Sequence, residues 1–176
     1  MMNLFNKVNQ ESLPELEGYQ DQIYYVPDVA YSFLQCYPEP IYEKDEWEKI
    51  MSCLVKSPRY SYDFAFNVLK GRFERGEPAI ARHPRHSFWY ALKVLNGRFE
   101  LGEDAIATDT EYSYAYSLFL GMPFKKGEVA ISRNAEQSCS YAINVLGHRF
   151  ESGEPAIKKS KVSCQRYEDH FNIKLT

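Results

Sequence analysis

The sequence predicts an all-α fold, a right-handed α-solenoid of helix-turn-helix repeats about 26 residues long with atypical terminal caps. Three observations predict it. One aromatic recurs as Phe73, Phe99, Phe124 and Phe150, at spacings of 26, 25 and 26 residues. The phrase around it recurs too: "VLKGRFERGEPAI", "VLNGRFELGEDAI", "FLGMPFKKGEVAI" and "VLGHRFESGEPAI". An earlier, degenerate copy, "WEKIMSCLVKSPRYS", then sets the secondary structure. Its apolar residues Trp47, Ile50, Met51, Leu54 and Val55 follow i, i+3, i+4, i+7, i+8, which is one helical face.

That copy aligns Trp47 with Phe73 and Leu54 with Ile80, so Phe73 to about Arg82 is predicted as a helix, helix B. Pro78 falls in its first turn, where an N–H has no intrahelical acceptor to lose. Pro123 likewise suits a helix start. Helix A precedes it. Ser61, Ser87 and Ser138 stand before apolar runs as candidate N-caps, with Ser113 a looser match in a copy one residue short. Tyr62, Ala65, Phe66 and Leu69 share a face. Gly71, Gly97, Gly121 and Gly147 are the candidate left-handed stops. The expected core column combines Leu69, Leu95, Leu120 and Leu146 with the four phenylalanines. A lone pair of such helices cannot bury its apolar face, so stability comes from stacking.

The predicted organisation is an acidic N-terminal capping segment over 1–44, helical repeats over 45–160 and a C-terminal capping helix over 161–176. Within the first segment "YVPDVAYSFLQCY" resembles a helix A, followed by the insertion "PEPIYEKDE". At the far end Glu168 stands where inner copies have Ala65, Ala91 or Ala142, and Asn172 where they have Leu, as expected of a water-facing cap.

The net charge of −3 does not suggest a nucleic-acid ligand, although residues 1–48 carry ten acids and two bases and the rest is mildly basic. Cys36, Cys53, Cys139 and Cys164 form no C-x-x-C pair, and the last three fit as small buried fillers in a reducing compartment. No signal-peptide core or membrane-length apolar run occurs, so a cytoplasmic location is expected.

The phrase "YAxxVLxGRFExGExAI" resembles tandem helical repeats of uncharacterised proteins from tailed bacteriophages and large DNA viruses, over residues 45–160. The third copy departs from it, with Tyr116 in place of Ala and Met122-Pro123 in place of Gly-Arg. The resemblance implies a viral origin and an αα-repeat. It implies no activity and supplies no functional residue.

Catalytic and metal chemistry find little support. His83 and His86 form H-x-x-H across a Pro-containing turn without a third ligand at metal spacing. Glu77, Glu103, Glu128 and Glu154 recur once per copy, whereas a catalytic pair needs two groups with different roles in one place. They suit the first turn of helix B, and Arg72, Arg98 and Arg149 are candidates to bridge copies. No cofactor is expected. Two features point outward. The turns between B and A hold Lys56, Arg59, Arg82, Arg85, Arg133, Lys158, Lys159 and Lys161, an edge that could follow a phosphate backbone, interrupted by Asp109 and Glu111. On helix A, Trp89, Tyr114 and Leu118 occupy positions where other copies have Asp63, Ser140, Asn67 and Asn144, a candidate protein-binding patch. The expected function is a non-enzymatic hold on a host or viral protein, with nucleic-acid binding as the alternative.

Overall fold

The structure is a computed structural model that describes residues 22–37 and 44–175. The acids Glu11, Glu15, Glu17 and Asp21 of the acidic head, and residues 38–43 of the insertion, lie outside the described residues. Every regular element among the described residues is helical, with no strand. None is long and apolar enough to cross a membrane. The chain divides into two compact units, Met1–Ile80 and Ala81–Thr176, so the predicted repeat block is cut directly after a helix B.

In the first unit a 3-10 turn, Gln22–Tyr24, leads into α1, Pro27–Cys36, and α2, Lys44–Leu54. Helix α1 is the expected degenerate helix A: Phe33 and Leu34 are buried, and Tyr31 accepts a hydrogen bond from Asn67 at 2.9 Å. Helix α2 buries Ile50, Met51 and Leu54, as its periodicity predicts. Helix α3, Pro58–Asp63, continues as a π-turn over Phe64–Leu69, and α4 is Glu77–Ile80 behind a 3-10 turn, Glu74–Gly76.

The second unit repeats this scheme. Its A elements are α5, Pro84–Tyr90, with a π-turn Ala91–Leu95; α7, Thr110–Leu120; α9, Ala135–Tyr141, with a π-turn Ala142–Leu146; and α11, Lys161–Phe171. Its B elements are α6, Glu103–Ile106; α8, Glu128–Ile131; and α10, Glu154–Ile157, each behind a three-residue 3-10 turn. Successive A elements of this unit contact one another in chain order.

Helix B is therefore shorter than predicted. Phe73, Phe99, Phe124 and Phe150 are buried as expected, but each precedes the helix in a non-helical conformation near φ −101 to −120°. The chain bends there because the ring tucks under its own 3-10 turn. The helix proper starts at the repeated glutamate, and Pro78 is indeed in its first turn. Pro123 lies outside any helix, two residues before the 3-10 turn of its copy.

The π-turns follow a counting rule. The buried aromatic at the centre of helix A is Phe64, Tyr90, Tyr116, Tyr141 or Tyr167. The left-handed residue that stops the helix is Lys70, Asn96, Gly121, Gly147 or Asn172. Six residues separate the two in three copies, and each of those contains a π-turn. Five separate Tyr116 from Gly121 and Tyr167 from Asn172, and those helices stay α throughout. A π-turn is an α-helix with one residue inserted. Both ends of the segment are pinned by tertiary contacts, so the extra residue must be absorbed between them.

This register corrects four expectations. The stops are Lys70 and Asn96, not Gly71 and Gly97, since the left-handed residue always stands three before the phenylalanine. Ser61, Ser87, Ser113 and Ser138 are not N-caps. The capping side chains are Ser57, Asp109, Asn134 and Ser160. Tyr116 matches Tyr90 and Tyr141 rather than the alanine, because the missing residue falls after it. And the face Tyr62, Ala65, Phe66, Leu69 is not the buried one: Ser61, Phe64 and Ala65 are buried, while Phe66 and Leu69 are 43% and 46% exposed. Of the predicted leucine column, Leu95, Leu120 and Leu146 are half-buried and Leu69 is exposed.

Lys70 holds φ at 51° and has a Cβ. That conformation costs a non-glycine residue about 1–2 kcal/mol, while glycine loses up to about 1 kcal/mol more chain entropy on folding. Lys70→Gly is expected to stabilise the fold by about 0.5–1 kcal/mol. A urea midpoint at or below that of the unaltered chain would contradict this.

Candidate functional site

The repeated polar residues build a bolt between copies. The Ser113 hydroxyl donates to the Ile106 carbonyl at 2.9 Å, and Ser138 does the same to Ile131 at 2.9 Å. Ser61 makes the equivalent bond to Leu54 at 3.4 Å. Each of these carbonyls also accepts the backbone N–H three residues on, and its second lone pair gives the hydroxyl a partner, which is why a serine can be fully buried there. The glycine of each "F-x-x-G-E" passes against the same serine. A Cβ on Gly102 would lie 2.5 Å from the Phe99 ring and 2.7 Å from Ser87 Cβ.

The tyrosines link neighbouring copies. Tyr116 and Tyr167 accept from the backbone N–H of Phe99 and Phe150 at 2.9 and 2.8 Å. The Tyr141 and Tyr167 hydroxyls donate to Glu128 and Glu154 at 2.9 and 3.0 Å. Within their own copy, Tyr90, Tyr116 and Tyr141 sit edge-on to Phe99, Phe124 and Phe150 at 5.0–5.2 Å. Burial and the adjacent carboxylate push the Tyr167 phenol up to about 12, so it stays a donor. The Arg149 guanidinium holds the Glu154 carboxyl below its ordinary range. Tyr167→Phe strands the buried Phe150 N–H and is expected to cost about 1–3 kcal/mol in a denaturant melt. A loss below about 0.5 kcal/mol would mean that water reaches the amide.

The arginines act first within their own copy, and Arg149 also interacts with the Tyr167 hydroxyl of the next one. Arg72, Arg98 and Arg149 each clasp the glutamate of their own copy, Glu77, Glu103 and Glu154, through two nitrogens. In the third copy, which has Pro123 at that place, Lys125 takes over for Glu128 at 2.9 Å. Other cations that cross between copies are Arg75, to Glu48 and Ser52, Lys126, to Asp104 at 2.8 Å, and Arg166, to Ser140 at 3.3 Å. The recurrent glutamates are thus structural. No group of three or more potential metal ligands occurs among the described residues, and the His83 and His86 rings stand 4.7 Å apart. All four cysteines are free; Cys53 and Cys139 are buried, Cys164 is half-buried and Cys36 is exposed.

The candidate patch divides. Counted from the buried aromatic, Trp89 matches Asp63, Ala115 and Ser140, while Tyr114 matches Tyr62, Phe88 and Cys139. The two are not equivalent positions, because the copy containing Tyr114 lacks the residue that forms the π-turn. Tyr114 is half-buried against the cluster around Ile131, Cys139 and Tyr141, and accepts from Asn144 at 2.9 Å. The position of Trp89 is not a wet one either, since Ser140 is buried. Trp89 itself is half-buried, with the Lys93 ammonium 5.8 Å from its ring centroid. Leu118 is 45% exposed. It belongs to a row that counting from the phenylalanine missed: Phe66, Leu92, Leu118 and Ile143, each two residues after the buried aromatic. The row was legible as apolar residues at fixed spacing, but only once the correct anchor is known.

The basic residues Lys56, Arg59, Arg82, Arg85, Arg133, Lys158, Lys159 and Lys161 are all exposed. Arg59 is 3.5 Å from Asp63, and Asp109 serves as the N-cap of α7. Compared with protein-family models, curated proteins and solved structures, the chain matches none of them.

Proposed function

We propose that the protein is a non-enzymatic, protein-binding α-solenoid of viral origin, holding a host or viral protein in the host cytoplasm and so modulating a host process such as defence. The viral part rests on the sequence resemblance alone. The binding part rests on the row Phe66, Leu92, Leu118 and Ile143. Its residues are apolar in all four copies, yet Phe66 and Leu118 are 43% and 45% exposed. The final copy, by contrast, has Asp169 there. Exposed apolar groups that recur at one repeat position support a contact role.

The test is affinity capture from host lysate followed by quantitative binding of the principal captured protein. Phe66→Ser with Leu118→Ser is expected to weaken that binding at least about tenfold, near 1.4 kcal/mol. Trp89→Asp, which copies Asp63, probes the other part of the patch. Neutralising Arg82, Arg85, Lys158 and Lys159 is expected to change it less than about twofold. The exposure of the whole basic edge favours a second reading, in which the turns bind nucleic acid. A salt-sensitive gel shift with mixed DNA and RNA that survives the apolar substitutions and fails on the basic ones would establish that reading instead.

A further inference from the structure

The third copy lacks the arginine that the other copies set beside their glutamate. In those copies a guanidinium and a tyrosine share the carboxylate in one fixed way. Glu154 Oε1 accepts from Arg149 Nε at 2.8 Å and from the Tyr167 hydroxyl at 3.0 Å, while Oε2 accepts from Arg149 Nη2 at 2.9 Å. Arg98 holds Glu103 through the same two nitrogens. The glutamate stands five residues after the arginine each time, and five residues before Glu128 stands Pro123. Tyr141 still donates to Glu128 Oε1 at 2.9 Å, and Lys125 joins it on the same oxygen at 2.9 Å. Among the described residues none donates to Oε2. Lys125 is an exposed, one-point substitute for a two-point clasp.

We propose that Glu128 is a docking point for an arginine side chain of a bound protein, whose guanidinium takes the place that Arg98 and Arg149 fill in their own copies. This rests on the protein-binding reading and names one chemical group of the partner. Three observations carry it. Tyr141 holds Oε1 as Tyr167 holds that of Glu154, so the carboxylate stands oriented for the fork of a guanidinium, which an ammonium cannot span. Lys125 does not exclude a second cation, since Glu103 already takes two, Arg98 by its clasp and Lys126 at 3.7 Å. The neighbouring surface also differs in this copy. Met122 and Val129, next in sequence to Pro123 and Glu128, are exposed, where other copies have Gly71, Gly97 and His148, or Pro78, Asp104 and Pro155. Arg98 and Arg149 are themselves about half-exposed in their clasps. The place is therefore at the surface, and it suits an arginine carried on another chain better than an enclosed small molecule.

The experiment titrates the full chain with the end-capped tripeptide Gly-Arg-Gly and with its lysine and citrulline counterparts at constant ionic strength, following the backbone amide NMR signals around Glu128. The arginine peptide is expected to saturate the shifts at a concentration at least about fivefold below the lysine peptide. The uncharged citrulline peptide is expected to leave them unchanged. Pro123→Arg supplies the guanidinium within the chain and is expected to abolish the arginine response while the helices persist. Glu128→Gln keeps an acceptor for Tyr141 but no charge, and is expected to do the same. Arginine and lysine peptides that act alike, an arginine response that survives either substitution, or no saturable response in the unaltered chain overturns the proposal. Phe66 and Leu118 take no part in this titration, so its failure removes the arginine site and leaves the apolar row to be judged by its own substitutions.

Discussion

Phe99→Ala is expected to cost about 3–5 kcal/mol, a large share of the stability of a domain of this size. Phe99 is 3% exposed, and its ring lies edge-on to Tyr90 at 5.0 Å. The same residue supplies the N–H that bonds the Tyr116 hydroxyl at 2.9 Å. Removing the ring leaves a void between two copies that cannot collapse, because the serine-carbonyl bolts and the Arg98–Glu103 clasp fix the spacing around it. The backbone bond to Tyr116 also loses the ring that holds its donor in place. A urea melt monitored at 222 nm checks this. A loss under about 1 kcal/mol would show that the repeat closes up without its aromatic.

Gly102→Ala is expected to destabilise by about 2–3 kcal/mol, although alanine is the better helix former by about 1 kcal/mol. The added methyl would stand 2.5 Å from the Phe99 ring and 2.7 Å from Ser87 Cβ. Neither neighbour can yield cheaply. The phenylalanine is buried, and the serine is held at the base of its helix. Gly76, Gly127 and Gly153 meet equally close walls, so the glycine recurs for close approach and not for a left-handed backbone. Gly121, with φ at 65° and open space around it, is needed for the opposite reason. Gly121→Ala should therefore cost only the strain of the left-handed region, about 1 kcal/mol. If the two substitutions cost the same, close packing is not what Gly102 provides.

By itself the sequence determined the helical class, the 26-residue period, the burial of Phe73, Phe99, Phe124 and Phe150, and the face of α2. These are set by periodicity and by residues whose size forces them inside. It also marked Glu77, Glu103, Glu128 and Glu154 as structural, since a group repeated in every copy serves what every copy shares. The tertiary structure alone decided the register inside helix A. A one-residue difference between copies can be taken up anywhere along a loop or helix, and nothing local says where. Contacts pin the buried aromatic at one end and the phenylalanine at the other, so the extra residue becomes a π-turn where it is present and the helix stays α where it is not. Counted back from the phenylalanine, that choice shifts every residue before the insertion by one position, so Trp89 and Tyr114 are not equivalent and Leu118 shares its repeat position with Phe66, Leu92 and Ile143. The roles of the serines were hidden for a related reason. A hydroxyl before an apolar run caps its own helix or bonds a carbonyl seven residues earlier with equal chemical ease, and only the packing of the preceding helix B supplies that carbonyl.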